Sequence, residues 1–143
     1  MTQTWLTQLF LVALWEEIGW RHWLLRYFGQ ASTPAKALIF TGVIWTGWHL
    51  PKFALLGTQA GWLLLLLIGA NGLLCALWWW SRGDLWSVAM VHAAINASFY
   101  TLASEPGFAD SGAEQHLVLV LAVLGFGYAV LVCRGQRNQS TKE

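Results

Sequence analysis

Charge is what this sequence has least of. Only 10% of its residues are Asp, Glu, Lys or Arg, whereas a soluble domain spends about a quarter of its residues on them. A water-covered surface is thereby excluded for most of the chain, and the 57% of hydrophobic residues says that lipid takes its place. The net charge of +1, with no basic stripe outside the C-terminal tail, excludes nucleic acid as a partner. Cysteine is scarce too. Cys75 and Cys133 lie inside apolar runs without metal-type spacing, and read as small hydrophobes. No Lys or Arg precedes Arg21, so the first apolar segment lacks the charged start of a cleavable signal and is expected to stay. There is no internal repeat.

What the chain does have, at 143 residues, is enough length for one domain and eleven tryptophans, a residue that favours the headgroup boundary. Trp78-Trp79-Trp80, just before Ser81-Arg82, is expected to form such a belt. Crossing a bilayer takes about 20 apolar residues in a helix, and segments of that size stand between recognisable stops. The first runs from Trp5 to Phe28 and ends at Gly29-Gln30; the second opens with the cap and proline Ser32-Thr33-Pro34 and runs to His49-Leu50-Pro51. The third, Gly61 to Trp80, has no ionisable residue. The fourth follows the turn Ser81-Arg82-Gly83-Asp84, with Asp84 as its cap, and runs to Ala103; the fifth covers His116 to Cys133. The expected fold class is all-α, a polytopic transmembrane bundle of about five helices. Residues 1–133 form its single domain, and 134–143 form a polar, disordered cytoplasmic tail.

Five spans put Arg26, Lys36, Arg82, Arg134, Arg137 and Lys142 on one side and only Lys52 on the other. The acidic loop with Glu105, Asp110 and Glu114 lies opposite the basic side. The positive-inside rule then places the N-terminus outside and the C-terminus in the cytoplasm.

An ionisable group within the hydrocarbon costs at least a few kcal/mol, so it needs a partner or a job. Glu16, Glu17, Arg21, His49 and His92 all fall in the first, second and fourth segments, which points to one polar pocket among three helices, walled from lipid by the other two. Glu17 and Arg21 are four apart, acid before base, and share a helix face. Glu16 is rotated from Glu17 by about 100° and has no local counter-ion, which suits a general base. Trp45 and His49 repeat the spacing of four, with Gly47 between them expected to allow close helix approach. His92 and Asn96 are a third pair, set among small residues. Each pair alone is accounted for by packing: a salt cluster, an interfacial histidine, an interhelical hydrogen bond. Together, two histidines and a carboxylate match the ligand set of a hydrolytic zinc site, Glu16, His49 and His92 with an open position for water. The same residues also serve without metal, Glu16 activating water while His92 and Asn96 donate to the oxyanion. His22 and His116 lack a matched partner and read as interfacial.

These residues carry a resemblance. Glu16-Glu17 with Arg21, Trp45 to His49 with its His-Leu-Pro continuation, and His92 to Asn96 resemble, in order, the three motifs of the CPBP family of intramembrane metalloproteases. That family takes in the type II CAAX prenyl proteases and the bacteriocin-processing, Abi-like proteins. The match covers Leu14 to Ala97, with Trp45 where the family more commonly has phenylalanine. The resemblance implies a membrane-embedded endopeptidase that acts on a peptide or lipidated protein among membrane lipids. Glu16 would be the water-activating base, with Glu17 and Arg21 supporting it. His49 would orient water or bind metal, and His92 with Asn96 would stabilise the oxyanion. The helices that precede the first motif in larger members have no counterpart before Leu14, and a second copy or a partner subunit is expected in their place. Two rival readings use the same residues: a noncatalytic immunity protein of this fold, and a small proton-coupled carrier.

Overall fold

The computed structural model describes residues 2–107 and 112–140, and the described residues form helices joined by turns, with no strand among them. Met1, Asp110 of the acidic loop and Lys142 of the basic tail lie outside the described residues.

Helix α1 (2–31) is continuous but not uniform. The four residues Leu14–Glu17 are α-helical between two π-helical stretches, Gln8–Ala13 and Ile18–Leu25. The burial pattern gives the reason. Leu9, Ala13, Glu17, Arg21 and Leu25 are all buried, one every four residues. In an α-helix each step of four overshoots a turn by about 40°, so that row would drift about 160° around the helix. The wider i→i+5 turns take the drift back and keep one face on the core.

Helix α2 (Pro34–Trp48) begins as its sequence dictates, with Thr33 accepting from the Lys36 N–H and Pro34 in the first turn. It ends at Trp48, at the start of the expected His49-Leu50-Pro51 stop. The chain bends at His49 (φ −90°, ψ 3°), and Pro51 sits in the first turn of a further short helix, α3 (Leu50–Leu56), where its missing N–H costs nothing. Gly57, at φ 52°, turns the chain into α4 (Ala60–Trp80). Arg82 and Gly83 take positive φ in the next turn, and Asp84 caps α5 (Leu85–Ala103) by accepting from the N–H groups of Trp86 and Ser87. Helix α6 (Ala113–Ser140) runs past Cys133, so the residues expected to be a disordered tail are helical as far as Ser140; the sequence there holds no proline to stop a helix.

Glycine closes the seam between α4 and α6. A Cβ on Gly69 would lie 2.8 Å from the Leu121 carbonyl oxygen, and one on Gly72 would lie 2.7 Å from that of Gly125. Backbone therefore meets backbone. Gly47, expected to serve this way, faces open space: a Cβ there would have nothing within 4 Å. The tryptophan triplet also divides. Trp78 belongs to the core with Trp45, Leu74 and Cys75, while Trp80 is 71% exposed. Successive residues on a helix point about 100° apart, so three in a row cannot all face outward.

Among the described residues, two stretches are long and apolar enough to cross a bilayer: Leu50–Trp80 (mean hydropathy 2.1) and Ala113–Gly135 (mean hydropathy 2.4). The other three expected spans are α1 with its buried charges, the 15-residue α2, and the alanine- and serine-rich α5. Large apolar side chains nonetheless face outward from these too, among them Leu11, Val43 and Met90.

Candidate active site

The three polar helices meet around Glu17, whose side chain is wholly buried. Its Oε1 accepts from Arg21 Nη1 at 2.9 Å and from His92 Nδ1 at 2.6 Å. Arg21 is equally buried. Its Nη2 reaches Asn71 Oδ1 at 3.5 Å, and its guanidinium lies 4.5 Å from the centroid of the Trp45 ring. A buried carboxylate is tolerated only where partners replace its water, and here α1 supplies the cation, α5 the imidazole and α2 the aromatic face. The short bond from His92 is the charge-assisted kind.

Glu16 points elsewhere. It is half-buried, and its Oε2 accepts from the Trp45 indole N–H at 3.2 Å. Trp45 is 2% exposed and stands edge-on to two imidazoles, those of His49 and His92, at 5.4 and 5.8 Å between ring centroids. Its carbonyl is 2.8 Å from His49 Nδ1. A carbonyl can only accept, so that nitrogen carries the proton and Nε2 of His49 keeps its lone pair. The same logic leaves Nε2 as the outward nitrogen of His92, since Nδ1 is committed to Glu17. Asn96 donates to Gln8 Oε1 at 3.1 Å, which leaves its second amide hydrogen unassigned.

Glu16, His49, His92 and Asn96 all line one cavity of about 460 Å³, together with Gln8 and Trp45. Its walls include Leu63, Leu66, Leu67 and Ala70 of α4, and Lys52 and Glu114 also line it. A larger groove of about 610 Å³ between α2, α4 and α6 is apolar and contains none of these groups. Glu17 and Arg21 do not line the cavity; they lie behind it. His22 packs edge-on to Trp78, and His116 approaches the Gly112 carbonyl, both exposed and away from the cavity.

Two residues of this centre carry no sequence motif. Asn71 joins three helices: its Oδ1 takes the Arg21 contact, and its Nδ2 donates to the Leu38 carbonyl at 3.2 Å, in space that Gly42 leaves open. The signal was there, a single amide among Gly69, Ala70 and Gly72 in an otherwise apolar run. Gln8 stands eight residues, or two four-residue steps, before Glu16.

Zinc fits this arrangement poorly. Glu16, His49 and His92 are suitable donors in kind, but among the described residues no three His, Cys, Asp or Glu side chains converge closely enough to hold a metal ion.

Comparison with known proteins adds one finding. Neither the curated proteins nor the solved structures yield a match to this chain. Residues 2–98, which hold all three motifs, match the family described as type II CAAX prenyl endopeptidase Rce1-like, and the chain belongs to that membrane-embedded family.

Proposed function

We propose that the protein is an intramembrane endopeptidase that hydrolyses a peptide bond of a membrane-associated substrate, a prenylated CAAX-type or bacteriocin-like peptide, with water activated by Glu16. The observation that carries this reading is the division between neighbouring carboxylates: Glu17 is locked by Arg21 and His92, while Glu16 opens onto a cavity shared with His49, His92 and Asn96. A water held between Glu16 and the Nε2 lone pair of His49 gives a proton to Glu16 and attacks the peptide carbonyl carbon. The oxyanion accepts from the free amide hydrogen of Asn96 and from His92 protonated at Nε2, a cation that Glu17 supports through Nδ1. Collapse breaks the C–N bond, and Glu16 returns its proton to the leaving amine. Side chains of this chain carry every step.

The proposed setting is a chain crossing the membrane five times, with its N-terminus outside and its C-terminus in the cytoplasm. The outward-facing apolar side chains of α1, α2 and α5 and the uneven distribution of Lys and Arg support it.

Reconstituted protein incubated with a lipidated C-terminal peptide in heavy-oxygen water tests the reading. Mass spectrometry is expected to find one heavy oxygen in the new carboxylate, with cleavage indifferent to chelators. No cleavage by wild type, or equal cleavage by Glu16→Gln, contradicts hydrolysis by Glu16. Stoichiometric zinc lost in both His49→Ala and His92→Ala contradicts the metal-free route.

A further inference from the structure

Three of the groups assigned to the chemistry, Glu16, His49 and His92, touch Trp45. Its indole N–H meets Glu16, its carbonyl fixes His49, its ring edges the imidazoles of both His49 and His92, and its face covers Arg21. Four of these five contacts would survive replacement by phenylalanine, which has the same backbone carbonyl and an aromatic ring in the same place. The bond to Glu16 would not, because phenylalanine has no donor. Among the described residues, the bond from Trp45 is the only hydrogen bond to the Glu16 carboxylate.

We infer that the Trp45 indole N–H is a positioning donor for Glu16: it holds the carboxylate against the cavity wall, so that the oxygen not bound to it faces the space shared with His49 and His92. The inference rests on the hydrolase reading and deepens it. A glutamate side chain has three rotatable bonds, and in a half-buried position no other hydrogen bond restricts them. Burial makes the indole a firm anchor. At 2% exposure, gripped between Arg21 and two imidazoles, Trp45 cannot follow the carboxylate if it swings away. The indole acts on the base and does not itself touch substrate. An aromatic ring at this position fills space; an indole also aims the general base.

Two measurements test this, and the first leaves Trp45 in place. In nanodiscs, the indole N–H proton resonance of Trp45, assigned by its absence in Trp45→Phe, is expected to move upfield in Glu16→Ala, as a charge-assisted bond is lost. An unmoved resonance overturns the inference. The second is kinetic. Trp45→Phe is expected to lower kcat about ten- to a hundredfold, the range for a hydrogen bond to a charged group, with KM within about twofold of wild type. Trp45→Phe with wild-type kcat overturns the inference and leaves the hydrolase reading standing. Glu16→Gln cleaving at the wild-type rate overturns the hydrolase reading itself, whatever the resonance does.

Discussion

The seam between α4 and α6 and the junction of α1, α2 and α5 both use small residues, and they come out as opposites. In the seam the small residues are glycines, and Gly69 and Gly72 bring the α4 backbone against the α6 backbone with no room for a Cβ. In the junction they are alanines. Ala13 meets Ala89 and Ala93 at full burial, but beside them the space between the helices is filled by Glu17, Arg21, Trp45 and His92, and Trp45 and His92 go on to line a cavity. Removing a side chain shuts a helix interface; pairing long polar side chains across one props it open. The closed seam supplies rigidity, and the propped junction supplies room for chemistry.

Breaking the prop has the largest expected effect. Arg21→Ala removes one of the two partners of the buried Glu17 carboxylate and leaves it only His92, and is expected to cost about 3–5 kcal/mol of stability, read as a fall in Tm in detergent. A variant as stable as wild type would mean that Glu17 finds water or protonates without penalty, and that the cluster is not a prop.

Crowding the seam comes next. Gly125→Val drives new atoms into the Gly69 backbone and is expected to cost about 1–3 kcal/mol, whereas Gly127→Val, two residues along with nothing within 4 Å, is expected to leave Tm unchanged. Equal effects at the two sites would deny that backbone contact is what holds α4 to α6.

The smallest effect lies outside both regions, at the turn into α5. Ser87 hydroxyl and backbone bonds hold the Asp84 carboxyl below its ordinary value of 3.8. A lowered folded value means that the cap's contribution is fully present above 3.8 and fades as pH falls through the folded value. The small Tm gap between wild type and Asp84→Ala is therefore expected to close in acid. A gap that persists there would assign the effect to helix propensity and not to the charged cap.

How much of the molecule is legible in the sequence depends on the range of the interaction. Local rules place the start of α2 from Thr33-Pro34 and give α5 both its cap, Asp84, and its last residue, Ala103. Spacing of four pairs Glu17 with Arg21, and the scarcity of charge groups the remaining candidates. Long-range geometry is not legible. A 3.6-residue period cannot reveal the π-helical turns of α1, which are a response to the core and decide where Glu16 and Glu17 point. Nor does spacing show that His92 bonds to Glu17 while Asn96 turns to Gln8, because those partners are 75 and 88 residues away. Asn71 escapes a search for charge because it is neutral and sits in an apolar segment, although burial there obliges an amide to find partners. Gly47 and Gly69 show the same limit: a glycine marks possible close approach, and only the neighbouring helix decides whether it is used.

Two adjacent glutamates doing different work are the heart of the proposed site, and a paired substitution reads both. Glu16→Gln and Glu17→Gln are compared for peptide cleavage in nanodiscs and for Tm. Glu16→Gln is expected to lose about a hundred- to ten-thousandfold in rate with Tm close to wild type, because it removes the base while the glutamine oxygen can still accept from the Trp45 indole. Glu17→Gln is expected to lower Tm markedly, since it strips Arg21 and His92 of their shared anion. A Glu16→Gln protein that cleaves normally, or a Glu17→Gln protein as stable as wild type, would contradict the division of labour.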